Sequence, residues 1–320
     1  MSKDATPTED RRPRREVPRK SPWLVRVAFA WSQLLFAFGL LRVAAVVAEL
    51  LPATWLARSL VGPGNLAAVG ACLAAVGFLL SLLVGRRVSG WRRLGLLVLL
   101  VLHAVVAVVF PPRWLLDRFQ EDQTLFYVST ERSLYALTID DGLDPEATPV
   151  ILDVLGKHGA KATFFVLGET LEGFPDLAER CVAEGHELAN HQMTETPAVS
   201  LEADELETRM READRLLRRF GEPMWFRPGG GIGTDRSQAV AQRLGYQTAL
   251  ASVFPFDSHI TSVRFHVTYL TGRTEAGDIV VLHDGGDRGL RTAATLDAAL
   301  EQLAERGLAA VTLSELVKNE

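Results

Sequence analysis

The sequence predicts an α/β domain over residues 124–320, a parallel and incompletely closed barrel, set behind an all-α membrane module. Three observations predict it. Strand-like and helix-like segments alternate through the last two-thirds of the chain. Residues able to do chemistry fall at the ends of strand-like segments. The first third holds three apolar stretches with basic flanks. Alternating strands and helices build parallel sheets with the helices outside. About seven such units in under 200 residues suit a compact, incomplete barrel, in which chemistry gathers at the C-terminal strand ends.

Residues 1–22 are polar and rich in Pro and Arg ("RRPRREVPRK", 11–20), a composition that builds no core and reads as a disordered tail. The module over 23–111 carries apolar stretches at about 27–48, 66–84 and 94–110. The second has no charged residue and the third only His103, and about 20 apolar residues, or as few as 17, span a bilayer as a helix. Seven basic residues from Arg11 to Arg26 precede the first stretch. Arg86, Arg87, Arg92 and Arg93 separate the second from the third, whereas the loop between the first and second has only Arg58. Basic loops stay inside, so a cytoplasmic N-terminus, three transmembrane helices and an extracytoplasmic C-terminal domain are expected, with the lipid bilayer as a partner. A signal peptide ending near "AVVA" (45–48) is the competing reading, opposed by Arg42 within the apolar run. Arg42 reads as snorkelling and His103 as a neutral, hydrogen-bonded residue.

A connector at 112–123 leads into the α/β region over 124–320. Residues 1–123 hold 16 Lys/Arg against 8 Asp/Glu, and residues 124–320 hold 18 against 31. The acidic half excludes nucleic-acid binding there, because phosphate contacts need clustered Lys and Arg. The two cysteines, Cys72 and Cys181, fall in different halves and specify no disulfide.

Within the acidic half, strands are expected at 133–139, 162–168, 224–227, 247–252, 278–284 and 308–313. Helices are expected at 146–159, 175–185, 201–220, 235–244 and 289–306. Gly159 and Gly185 close two of them, and Pro175 opens one.

Chemistry concentrates in five short segments. "TIDDG" (138–142) sets Asp140 and Asp141 side by side where a hydrophobic strand runs out into a turn. At about 5 Å and an effective dielectric near 20, two carboxylates repel by roughly 3 kcal/mol, so the pair calls for a cation. "GHELANHQMTE" (185–195) supplies His186, His191 and Glu195, and "FRPGGG" (226–231) supplies Arg227 and a glycine run. "FPFDSH" (254–259) supplies Asp257 and His259, and "VVLHD" (280–284) supplies His283. Taken alone, "DDG" favours a turn-capping pair before Gly142. The glycine run lacks the Lys and the Ser/Thr of a phosphate loop.

In this order the five segments resemble the polysaccharide deacetylases, the NodB-homology enzymes of carbohydrate esterase family four, over roughly residues 124–320. The resemblance implies a distorted (β/α) barrel and metal-dependent removal of acetyl groups from N-acetylated glycans. It makes Asp140 the catalytic base and Asp141 a ligand of one divalent ion, with His191 as the first metal histidine. Arg227 would pair with Asp140, and His283 would protonate the leaving amine, a task suited to a group titrating near neutrality. Asp257 would orient His283, the Gly230 backbone amide would face the oxyanion, and Leu282 would line the acetyl-methyl pocket. His186 reads as structural, and His259 as a weak candidate for an extra ligand.

The chain departs from the family at three places. Glu195 stands where the second metal histidine is usual. A four-residue spacing puts His191 and Glu195 on one face of a helical turn, so Glu195 is expected to ligate, giving a site for Zn²⁺ or for harder ions such as Mn²⁺ or Co²⁺. In the other reading Glu195 is solvated and the ion has two protein ligands. Gly229-Gly230-Gly231 replaces Pro-Tyr-Gly, which opens the sugar site, and the fourth segment lacks the usual tryptophan. The leading expectation is a membrane-anchored deacetylase of a cell-surface glycan such as peptidoglycan, chitin-like chains or poly-N-acetylglucosamine. The alternative is a chain that binds glycan without hydrolysing it.

Overall fold

A computed structural model describes residues 94, 95, 97, 98, 101, 113–117, 120 and 124–318. The expected tail, the first two apolar stretches and most of the third lie outside the described residues. Among the described residues no helix is long and apolar enough to cross a membrane.

The chain enters through α1 (Arg113–Leu116) and β1 (Thr124–Leu125). Then follow β2 (Leu134–Asp140), α2 (Ala147–Lys157), β3 (Thr163–Val166), α3 (Gly168–Gly173), α4 (Pro175–Ala183) and β4 (Glu187–Asn190). The second half runs α5 (Ala203–Leu217), β5 (Trp225–Phe226), α6 (Asp235–Arg243), β6 (Gln247–Ala249), α7 (Val263–Arg273), β7 (Ile279–His283), α8 (Asp287–Glu305), β8 (Ala309–Val311) and α9 (Leu313–Val317).

The strands form one parallel sheet in the order β1-β6-β5-β4-β3-β2-β7, with β8 beside the first half of β2. The sheet curls. Its ends approach through single bridges, Val253 to Val280 and Tyr127 to Asp278, rather than through a full ladder. The incomplete barrel expected from the alternation is this curled half-barrel.

Pleating explains how one strand serves two surfaces, because successive side chains point to opposite faces. Tyr135, Leu137 and Ile139 of β2 face the helices and pack with Ile151, Leu152, Leu296 and Leu300. Ala136 faces the interior with Phe165, Trp225 and Ile279. Burying each large apolar side chain contributes about 1.5–3 kcal/mol, which makes β2 the mechanical centre of the domain. The same alternation turns Thr138 and Asp140 inward.

Local signals set the helix ends. Pro175 opens α4, where its missing N–H costs nothing. Thr234 and Ser237 form a reciprocal capping box at α6. Helix α7 was not expected from the sequence. Its buried positions include His266 and Thr271 beside Tyr269 and Leu270, so no clean apolar stripe marks it.

Candidate active site

The site lies at the C-terminal ends of β2, β4, β5 and β7. Asp140 ends β2, and its register partner on β7 is His283. His191 directly follows β4 and Arg227 directly follows β5. Three non-glycine residues among those described have left-handed backbone, Asp141 (φ 70°), Gln192 (φ 63°) and Phe256 (φ 56°). Each is a site residue or the immediate neighbour of one. Strained backbone of this kind concentrates where function fixes side-chain direction.

Arg227 is fully enclosed and spends its guanidinium on five partners. Nη1 donates to Asp140 Oδ1 at 2.6 Å and to Thr138 Oγ1 at 2.8 Å. Nε donates to the Ala249 carbonyl and Nη2 to the Leu250 carbonyl. The Phe165 ring lies 4.1 Å below the guanidinium carbon. Asp140 is 4% exposed, and such a carboxylate needs a fixed counter-charge. Arg227 takes only Oδ1.

Asp141 and His191 form the second pair. His191 Nδ1 lies 2.8 Å from the Arg227 carbonyl. A carbonyl only accepts, so Nδ1 carries the hydrogen and Nε2 turns to Asp141 Oδ1, 3.5 Å away. Two ligands held at about 2.1 Å from one ion stand roughly 3.0–3.4 Å apart, and a carbonyl behind the histidine is the usual outer support of a metal ligand. The pair therefore fits a divalent cation. Burial pulls the His191 imidazole down, but the Asp141 hydrogen bond and the charges of Asp140 and Asp141 prevail and raise it. Burial acts against the Asp141 carboxylate too, yet His191, His283 and Arg288 hold it at about 2.

Glu195 does not join them. The segment after His191 is a bend, not a helical turn, and Glu195 is exposed. The cause is Gln192, whose left-handed backbone redirects the chain and whose Nε2 donates to the carbonyls of Thr194 and Thr196. Among the described residues no three His, Cys, Asp or Glu side chains converge as a ready-made metal group. His259 is exposed and pairs with Ser258.

His283 is held by Asp257 at two points. Its backbone N–H donates to Oδ2 at 2.9 Å, and its Nδ1 lies 2.9 Å from Oδ1. Burial pulls the imidazole down, but Asp257, with Asp140 and Asp141 behind it, raises it above the ordinary histidine value. The edge of Phe254, 5.9 Å away between ring centres, supplies the aromatic wall for which the fourth segment has no tryptophan.

Leu282 corrects the expectation that it lines an acetyl pocket. It is fully buried in the helix-side core with Ile139, its register partner, because the pleat sends it away from the face that carries His283. Val281 has the inward parity instead, paired with Thr138. Gly230 stands exposed in a tight turn, Gly229–Gly231, at φ 76°. A Cβ at Gly229 would lie 2.3 Å from the Thr196 carbonyl, so the glycine run and the Gln192 bend are fitted to each other. His186, as expected, is structural. Its Nδ1 accepts from the Ala162 N–H, and burial, then Lys161, pull it down to about 4.

Sequence reading missed Arg288, whose Nη2 donates to Asp141 Oδ2 at 2.8 Å. Asp284, the last residue of the "VVLHD" segment and given no role from sequence, is buried behind the pair and bonded to Thr148 Oγ1 at 2.6 Å. The charged "HDGGDR" run (283–288) was the available signal.

A family profile described as polysaccharide deacetylase matches residues 127–249. A peptidoglycan-N-acetylglucosamine deacetylase of Bacillus cereus (strain ATCC 14579) is 36% identical over 194 residues, covering 60% of this chain and 91% of that protein. A chitooligosaccharide deacetylase of Bradyrhizobium sp. (strain ANU 289) is 39% identical over 161 residues, 49% of this chain and 73% of that protein. Among solved structures, a peptidoglycan N-acetylglucosamine deacetylase superposes with a TM-score of 0.59 at 29% identity, covering 62% of this chain and 94% of that one. A CE4 family pseudoenzyme from Bacillus anthracis superposes at 0.58 with 23% identity, covering 63% and 71%. That likeness speaks to fold alone.

Proposed function

Because the chain belongs to the polysaccharide deacetylase family, we propose that this deacetylase removes N-acetyl groups from a cell-envelope glycan of the peptidoglycan or chitin-like kind, with Asp140 as base and His283 as acid. The observation that carries this reading is the placing of the two groups. They are register partners on adjacent strands, one braced by Arg227 and the other by Asp257, so base and acid flank one point.

Water attacks the acetyl carbonyl while the free oxygen of Asp140 takes its proton. The Gly230 N–H is the candidate donor to the oxyanion. When the C–N bond breaks, His283 delivers the proton on Nε2 to the departing nitrogen, leaving a free amine and acetate. Arg227 holds Asp140 in place throughout, and Asp257 fixes the His283 ring so that Nε2 is the proton-bearing edge facing the substrate. Asp141 and His191 would hold one divalent ion, Zn²⁺, Mn²⁺ or Co²⁺, which supplies Lewis-acid polarisation and a more acidic water.

We place the protein in the cell membrane with the catalytic domain outside. Support comes from the three apolar stretches and their basic flanks. Leu94, Leu97, Val98 and Val101, all helical, are also exposed, as side chains facing lipid are. Acetate release from chitooligosaccharides and from peptidoglycan by the purified full chain tests the catalytic reading. Release that disappears in Asp140→Asn supports it. Glycan binding without acetate, with each of the three metals, would favour the non-hydrolysing alternative.

A further inference from the structure

Each member of the adjacent aspartate pair has its own arginine. Arg227 serves Asp140. Asp141 gives Oδ1 to the His191 side and Oδ2 to Arg288, whose Nη2 lies 2.8 Å away. The fold is built to deliver that second arginine. Arg288 sits in the first turn of α8, and the loop before it is tied to the loop after β2 through Asp144. One Asp144 oxygen accepts from the Glu146 and Ala147 amides, and the other accepts from the Gly286 N–H. Gly285 leaves the space the guanidinium needs, since a Cβ there would lie 2.9 Å from Arg288 Nη2. The Asp141 side chain is only 8% exposed, whereas Arg288 is 22% exposed and stands at the rim.

We propose that Arg288 is a built-in counter-cation that competes with the divalent ion for Asp141, so that this site holds its metal loosely and exchangeably. The inference rests on the metal reading of Asp141 and His191. Its physical content is simple. Arg288 offsets the Asp141 charge without a metal. It also confines Asp141 to one-oxygen ligation, and its positive charge lies within a few ångströms of any ion bound at Oδ1. With Glu195 turned outward, no third carboxylate or imidazole compensates among the described residues.

The test is isothermal titration of Mn²⁺ and of Zn²⁺ into the purified full chain, comparing the parent with Arg288→Met and Arg288→Lys. Removing the charge should tighten binding roughly tenfold or more, the size a divalent ion and a unit positive charge about 5 Å apart give even in a water-like dielectric. The same variant should lose metal-free thermal stability. Arg288→Lys keeps the charge and should stay within about threefold of the parent, which separates charge from packing. Should the Met variant fold poorly by circular dichroism, Arg288→Gln takes its place. Equal or weaker binding by the neutral variant overturns this inference while leaving the metal site standing. Binding by neither chain overturns the metal reading and this inference together.

Discussion

Asp257 grips His283 twice, accepting the backbone N–H at one oxygen and facing ring Nδ1 from the other at 2.9 Å. This fixes both the position of the imidazole and the tautomer it presents. Because His283 is raised above its ordinary value with Asp257 as the leading raising influence against burial, Asp257→Asn should lower it. An acid must be protonated to act, so activity falls as pH rises through the His283 value. The alkaline limb of the kcat/KM profile should therefore move to lower pH in Asp257→Asn, with kcat reduced about 10²-fold or more. An alkaline limb at the parental pH would show that His283 is not the acid.

Arg227 and Asp140 are each about as buried as a charged group can be, 2% and 4% exposed. Removing one partner of such a pair costs about 3–5 kcal/mol, mostly from the charge left behind. Arg227→Met should therefore destabilise the fold by that amount in urea denaturation and abolish acetate release. Adding Asp140→Asn to Arg227→Met should recover much of the stability and none of the activity. A double variant no more stable than the single one would mean that Arg227 matters through Thr138, Ala249 and Leu250 instead.

For Glu195 the expectation is no effect. It is exposed in a bend, and surface carboxylates away from a site change little. Glu195→Ala should keep the metal affinity and acetate release of the parent within about twofold. A loss of metal above tenfold would return Glu195 to the ligand set.

Which of these features sequence could reveal follows from whether the determinant is local. β2 and β7 were legible because both faces are buried, giving near-continuous hydrophobic runs, and a charged residue at the end of such a run marks a strand mouth. That placed Asp140, Arg227 and His283 correctly. Glu195 was misread because the spacing argument presumed a helix, and the Gln192 backbone at φ 63° forbids one. Leu282 was misread by one step of the pleat, which changes the face completely. The charged run 283–288 marked Arg288 as a candidate, but its partner was not legible. Arg288 meets Asp141 across 147 residues, a contact that exists only once α8 has packed against α2.

Asp284 offers a test of the fold's electrostatics that needs no substrate. It is fully buried, with Oδ2 accepting from Thr148 and Oδ1 without a hydrogen-bond partner among the described residues. Burial, with Asp141 and Asp144 adding to it, pushes the carboxyl up to about 7, against about 3.9 in an unfolded chain. The folded state therefore holds a proton that the unfolded state releases between about pH 4 and pH 7. Its contribution to stability is fully present below about pH 4 and is lost as pH rises towards 7. Asn carries no such charge. Its amide would leave one group unpaired at every pH, a constant cost that cancels in the pH dependence. The stability of Asp284→Asn relative to the parent, measured by urea denaturation of the full chain, should therefore rise from pH 4.5 to pH 7.5 by a few kcal/mol and level off above that. A difference that stays flat across this range would mean that Asp284 is ionised in the fold at pH 4.5 and that burial does not govern it.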